Sequence, residues 1–543
     1  MINSIAKIFK RINIYHIFLV IIVLFGLWLR FTNIERMVWE QDGNDESRDM
    51  IVAEHIVVNK EKPMRGPLAA GGMGWLLNSP IYFYFISTIW SVTRSPEVFM
   101  KVWALLLGLL PIAAFEVGKE IKNKELGLIT ALMFALNTEL IHESQQLLQP
   151  FLLPIFSTLF LWSILKTHKN NNYFYISLAF IFLFASLHFH YGVFLILPAG
   201  LFFIIKYWKK LLEKDFSFKN AVIPLTSGLS IGFLWLALTY RNFIFDQLGF
   251  LILNKEHESM LFSNKIIEIF LKIKEMLFSW ERPGLANYLT VALFLLIIAI
   301  FLIEKNKNDK TKISIVFFMA MSSFLMVLSN GSIADTYLLS TLPFFLIIIS
   351  IGIYQLFTLN YWLGLALLII FPTRMYMSST SMIYYHPPKI SFYEQKKNMS
   401  QVIFDDYFKD DKNKEPKFAM AFLKAKDDLP FDGWGTTGFW FHLEKMTNKK
   451  LIKTTSFGVN MTPLVQDADT FYLICEHRYF DQLEERNKIN STCVNRFVKV
   501  RNYIDDDYQK IFQSENYTIW KMPILENKKI KNYNYTYPDL LAD

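Results

Sequence analysis

The feature that most constrains this chain is a repetition of long apolar runs separated by short lysine clusters. Runs approaching the ~20 residues needed to span a bilayer occur near 15–31, 98–116, 126–141, 150–166, 173–188 and 191–207. Others follow near 221–240, 287–304, 313–329, 335–357 and 359–377, which makes eleven. Hydrophobic residues are 53% of the chain and charged residues only 19%, so a string of soluble domains is excluded in favour of a polytopic membrane protein. The net charge of +8 comes largely from lysines placed between the runs. That placement encodes membrane topology and not a nucleic-acid surface.

Charge bias orients the spans. Lys7, Lys10 and Arg11 precede the first run, and Leu27-Trp28-Leu29-Arg30 lacks a small-residue cleavage pattern. The first helix is therefore expected to stay attached, with a cytoplasmic N-terminus. The Lys-rich loops 117–125, 166–172, 206–219 and 305–312 share that side if the eleven runs cross and the shorter run 79–94 does not. The run 79–94 is then an outer juxtamembrane or re-entrant helix, the alternative being an ordinary span. The outer side receives the loop 32–97, the loop 241–286 with interfacial helices, and the polar tail 379–543. In the tail, 418–423, 470–475 and 517–521 read as strands and 437–446 as a helix. The expected fold class is a polytopic α-helical membrane protein, with about eleven transmembrane helices, outer juxtamembrane helices and a C-terminal extracytoplasmic α/β domain. The domains are 1–378 and 379–543, in a cell (plasma or inner) membrane.

The first outer loop is acidic. It reads Trp39-Glu40-Gln41-Asp42-Gly43-Asn44-Asp45-Glu46-Ser47-Arg48-Asp49. A helix starting near Asn44 places Asp42, Asp45, Glu46 and Asp49 three to four residues apart on one face. Helix capping and the macrodipole account for one or two acids there. Four beside a membrane are harder to assign to capping alone, because like charges repel unless something cationic is bound; on spacing alone, capping and function stand level.

Asp45-Glu46-Ser47-Arg48 resembles the Asp-Glu-x-Arg signature in the first outer loop of type C glycosyltransferases. More narrowly it resembles the protein O-mannosyltransferase and lipid A aminoarabinose transferase superfamily. Gly66-Pro67, Gly71-Gly72 and Ser79-Pro80-Ile81-Tyr82-Phe83-Tyr84 are similar to the pattern that follows it in bacterial members. The chain departs from that pattern at Ser79, where relatives tend to carry Gly. It departs again in Ser144-Gln145-Gln146-Leu147-Leu148-Gln149-Pro150, where Gln149 stands at an acidic position.

The resemblance implies a transmembrane catalytic domain over 1–378 and a sugar donor linked through phosphate to a polyprenol. An acceptor hydroxyl on a protein, lipid or glycan attacks the anomeric carbon outside the cytoplasm, and no nucleic acid takes part. Such a reaction needs a base near the acceptor and positive charge near the leaving phosphate. Asp45 is the expected base, assisted by Glu46. Arg241, at the outer end of the seventh run, is the expected phosphate ligand, or else an interfacial anchor. Arg48 serves the phosphate or pairs with its acidic neighbours. His188, His190 and Tyr191, between the fifth and sixth runs, bind a metal or the phosphate, or simply shape a tight turn. The only cofactor expected is a divalent metal, on Asp49 with Glu143.

Two other readings share this topology. An oligosaccharyltransferase or glycan ligase would carry a Trp-Trp-Asp-Tyr-Gly type motif, which Phe431-Asp432-Gly433-Trp434-Gly435 resembles only superficially. A lipid-linked-sugar transporter would place ionisable residues in mid-span. The two cysteines, Cys475 and Cys493, both fall in the tail. There a disulfide persists if the tail is extracytoplasmic, the run 496–500 pairing beside the strand that ends at Cys475; the alternative is two unrelated thiols.

Overall fold

The computed structural model describes residues 14–37, 44–64, 66–67, 79–242, 262–278, 304, 306–328, 335–385, 391–411, 414–424, 437–449, 451, 468–476, 508–514 and 517–523. The chain divides into two compact units. The first comprises Met1–Ile34, Arg65–Tyr82 and Val98–His386. The second comprises Glu35–Met64, Phe83–Glu97 and Pro387–Asp543. The loop that carries the acidic motif therefore belongs with the tail.

The first unit is helical among its described residues. Among the described residues, six helical stretches are long and apolar enough to cross a membrane: Ile14–Phe31, Pro96–Ile121, Gln149–Asn170, Phe218–Thr239, Lys307–Val327 and Leu342–Leu359. Apolar helices at Ile81–Thr93, Tyr173–Ser186 and Tyr361–Met377 are shorter. Ile81–Thr93 has 13 residues, about 20 Å of helix against a hydrocarbon core of about 30 Å.

Several runs that look continuous in sequence are broken. The run 126–141 is cut at Asn137, whose extended backbone ends helix Lys124–Leu136 and whose side chain accepts from the Leu140 amide to start helix Thr138–Ser144. The run 191–207 opens as a 3-10 turn, Tyr191–Leu195, and the helix proper begins at Leu197 with a proline in its first turn. The run 287–304 lies almost wholly outside the described residues.

Packing within this unit is close. A Cβ on Gly127 would meet the Phe115 carbonyl oxygen at 2.7 Å, so helices Leu110–Ile121 and Lys124–Leu136 approach almost backbone to backbone. Arg30 is fully buried. Its Nη1 donates to the carbonyls of Gly26 and Ala135 at 3.0 Å, and its Nη2 to that of Phe134 at 3.3 Å. A guanidinium at this depth is held by backbone dipoles of two helices.

The second unit holds a four-stranded sheet in the order β1-β2-β4-β3. The strands are β1 (Phe418–Lys424), β2 (Thr470–Glu476), β3 (Gln509–Gln513) and β4 (Tyr517–Pro523). β1 and β2 are parallel, and the other pairs are antiparallel. Six of the seven β2 residues are buried, as a central strand requires. Both edges of β2 are taken, by β1 and β4, whereas the run 496–500 expected there lies outside the described residues. Helix Phe392–Tyr407 starts with Ser391 as its N-cap, accepting from the Glu394 amide. Trp440 of helix Thr437–Thr447 stacks on Phe418 of β1 at 5.5 Å, which seats that helix on the sheet.

Candidate active site on the helix Asn44–Val58

The helix carrying the acidic motif runs Asn44–Val58, with Asp45 and Glu46 in its first turn. The helix dipole favours carboxylates there. Arg48, one turn on, grips two of them. Its Nη1 lies 2.5 Å from Asp45 Oδ1, its Nη2 lies 2.6 Å from Asp49 Oδ1, and its Nε donates to the same Asp49 oxygen at 2.7 Å. Such fork-shaped contacts fix both partners in direction as well as distance.

The three acids differ in burial. Asp49 is fully buried and Glu46 nearly so, while the side chain of Asp45 is 50% exposed. Asp45 Oδ2 has no hydrogen-bond partner among the described residues. The motif thus presents one carboxylate outward, with one oxygen tied by Arg48 and the other open. Asp42 lies outside the described residues.

The far end of this helix is anchored inside the same unit. His55, 2% exposed, donates from Nε2 to Glu444 Oε2 at 2.6 Å. Glu444 Oε1 accepts from the Leu451 amide at 2.9 Å. Next to His55, Glu54 Oε2 accepts from Trp90 Nε1 at 2.6 Å and from Arg94 Nη1 at 3.0 Å. Lys445 lies over the Trp90 and Phe441 rings at 5.2 and 4.6 Å. The sequence reading missed this cluster, because no local spacing links residues 54–94 to 441–451.

In the first unit, His188 and His190 are buried and engaged internally. His188 Nε2 donates to the Ile231 carbonyl at 3.2 Å, which leaves Nδ1 to accept from the Ser79 hydroxyl at 2.9 Å. Ser79 at the position of departure is thus the partner of a histidine. His190 Nδ1 accepts from the Gly192 amide at 3.0 Å and caps the turn Tyr191–Leu195. The His190 ring packs on Tyr337 at 4.9 Å, and Tyr191 is buried against Phe194. Glu143 is buried on the short helix Thr138–Ser144. Gln145 Nε2 donates to the carbonyls of Arg30 and Thr32 at 3.0 and 3.1 Å, tying this connection to the end of the first helix. Arg241 falls on the last turn of helix Phe218–Asn242, and its side chain lies outside the described residues.

Asp49 and Glu143, the residues expected to hold a metal, are both buried. Asp49 Oδ1 is occupied by two nitrogens of Arg48. Among the described residues no three His, Cys, Asp or Glu side chains gather around a common point.

Residues 17–252 match the family Dolichyl-phosphate-mannose-protein mannosyltransferase. No curated protein sequence matches the chain. Among solved structures, ArnT from Cupriavidus metallidurans bound to undecaprenyl phosphate superposes with a TM-score of 0.54 at 11% identity, covering 92% of this chain and 97% of that one. ArnT in the apo state gives 0.56 at 10% identity with the same coverage. The Archaeoglobus fulgidus oligosaccharyltransferase reaches 0.47 at 12% identity, over 85% of this chain and 69% of that one. Residues 17–252 are therefore similar to the dolichyl-phosphate-mannose-protein mannosyltransferase family, and the chain shares the fold of ArnT.

Proposed function

We propose that this protein transfers a sugar from a polyprenyl-phosphate donor to an acceptor hydroxyl on the outer side of a cell membrane, with Asp45 as the base. The observation that carries the proposal is the half-exposed Asp45 carboxylate, held through one oxygen by Arg48 with the other oxygen open. In the reaction, Asp45 Oδ2 takes the acceptor's hydroxyl proton. The acceptor oxygen bonds to the anomeric carbon as the bond from that carbon to the phosphate oxygen breaks. Polyprenyl phosphate leaves with the bonding electrons.

The remaining roles divide by what each side chain is already doing. Arg48 is taken up by Asp45 and Asp49, so its part is to aim the base. The internal bonds of His188 and His190 favour the turn-shaping alternative for that segment. The leaving phosphate is therefore assigned to Arg241. The ArnT likeness, in a structure holding undecaprenyl phosphate, supports a lipid-phosphate donor. The acceptor is a hydroxyl of a protein, lipid or glycan. The full topology has eleven spans over 1–378, a cytoplasmic N-terminus, and Ile81–Thr93 at the outer surface. The tail 379–543 is extracytoplasmic, with Cys475 paired to Cys493.

The test is purified protein with a radiolabelled polyprenyl-phosphate sugar. Release of polyprenyl phosphate that depends on both acceptor and Asp45 is expected. A donor that stays intact under all acceptors, or is turned over equally by Asp45→Asn, overturns the reading.

A further inference from the structure

Helices Leu197–Lys214 and Lys307–Met321 of the first unit run antiparallel. Tyr207 of one and Asn308 of the other both reach His168: the rings of His168 and Tyr207 are 5.5 Å apart, and His168 Nε2 donates to Asn308 Oδ1 at 2.7 Å. At the other end of the contact, Phe318 meets Phe202 at 6.0 Å and Phe203 at 5.7 Å. That register has a consequence for the exposed faces. Phe202 and Phe318 are 53% and 52% exposed, and Ile205 beside them is 56% exposed. Eight residues from each phenylalanine, towards the same end, stands an exposed lysine: Lys210 on the first helix, Lys310 on the second. Eight helical residues rise about 12 Å. Lys206, also exposed, sits halfway, its ammonium over the Phe202 and Tyr207 rings at 6.0 and 5.9 Å.

These three lysines have no carboxylate partner among the described residues. The nearby acids are spoken for: Asp309 with Lys312, Glu213 with Lys209, and Glu120 with Lys166 and Lys169. Beneath Lys206, the Tyr207 hydroxyl and His168 Nδ1 are buried without a hydrogen-bond partner among the described residues.

We propose that the groove between helices Leu197–Lys214 and Lys307–Met321 binds one anionic glycerophospholipid, its acyl chains on Phe202, Ile205 and Phe318 and its phosphate between Lys206, Lys210 and Lys310. The charge separates from the apolar surface along both helices at once, as it does in a phospholipid. Headgroup depth is about 5–8 Å per leaflet, so ammoniums about 12 Å of helix from the phenylalanines reach the phosphate while the rings stay in hydrocarbon. The site is independent of the transfer reaction.

The test is native mass spectrometry of the full chain in neutral detergent, titrated with phosphatidylglycerol, with phosphatidylcholine of the same chains, and with inorganic phosphate. One phosphatidylglycerol is expected to bind in preference to phosphatidylcholine. Lys210→Gln with Lys310→Gln should weaken it roughly 30-fold, from about one tenfold step and a half for two lysines. Lys209→Gln with Lys214→Gln removes the same charge outside the groove and should leave affinity within about threefold. Phe318→Ala should weaken both lipids alike while leaving the chain folded by its far-ultraviolet circular dichroism. Equal loss in the two lysine pairs, equal binding of the two lipids, or saturation by inorganic phosphate alone overturns the proposal.

Discussion

His55 and Glu444, 389 residues apart in sequence, meet at 2.6 Å between Nε2 and Oε2. The bond ties the helix that carries Asp45 to helix Thr437–Thr447 within one compact unit. Glu444 uses its second oxygen on the Leu451 amide, so the carboxylate links three segments. Removing either partner leaves a buried polar group short of a bond, at a cost of roughly 1–3 kcal/mol. His55→Ala and Glu444→Gln should each lower the melting temperature of the purified protein. The double variant should lose less than the sum, with a coupling of about 0.5–3 kcal/mol. Strict additivity in that cycle would remove the anchoring role. If Asp45 is the base, donor turnover should fall alongside, because the carboxylate loses its fixed direction.

Asp45→Asn deletes the proposed base with almost no change of volume. Turnover should drop by roughly 10²–10⁴-fold while the melting temperature barely moves. Arg48→Lys should also impair turnover, since an ammonium cannot fork onto Asp45 and Asp49 together. It should destabilise the helix as well, because Asp49 is fully buried and would lose one of its two short contacts. Near-normal turnover in Asp45→Asn, measured as polyprenyl phosphate released, would retire Asp45 as base.

The local part of this architecture was legible in the sequence, and the long-range part was not. The helix start at Asn44 followed from a capping residue ahead of first-turn acids, and the Arg48 pairs follow from neighbouring positions on one helix turn. Strands β1, β2 and β4 announced themselves as short apolar runs between polar stretches. β3, Gln509–Gln513, did not, because its residues are only partly buried and alternate weakly. Hydropathy hid the breaks at Asn137 and at Leu197-Pro198, since both sit inside apolar runs, although the cap and the proline were the signals to heed. His55 with Glu444, and Glu54 with Trp90 and Arg94, depend on tertiary packing that no spacing rule encodes. Arg30 looked like the end of a span, yet it is a buried donor to two helices.

The tail's own stability should depend on pH through His442. Burial, reinforced by Lys445, holds the folded-state pKa of this histidine down to about 3 from an ordinary 6.5. The ring is neutral in the folded protein and protonates in the unfolded chain as pH falls below 6.5. The unfolded state then binds more protons, so stability is complete above pH 6.5 and declines on acidification. The slope is about 1.4 kcal/mol per pH unit for one such group. Denaturation at pH 7.0 and 5.5 should show the loss, and His442→Gln should reduce it. An unchanged pH slope in that variant would show that other groups carry the dependence.

Topology can be read with single cysteines. Lys122 is a poor reporter position, because it binds Glu304 at 2.7 Å and replacing it disturbs a buried carboxylate that also accepts from Gln355. Lys307 is exposed at the start of its helix and carries no ion pair among the described residues. Cys475 is disulfide-bonded, and the chain has one other cysteine, Cys493, outside the described residues. The native background towards thiol reagents should therefore be near zero without reductant. Lys307→Cys should resist an impermeant maleimide in intact cells and react after permeabilisation, if the lysine-rich loops face the cytoplasm. Lys412→Cys in the tail should react in intact cells. Labelling of position 307 without permeabilisation would put the lysine-rich face outside, and with it the assignment of Ile81–Thr93 to the outer surface would fall.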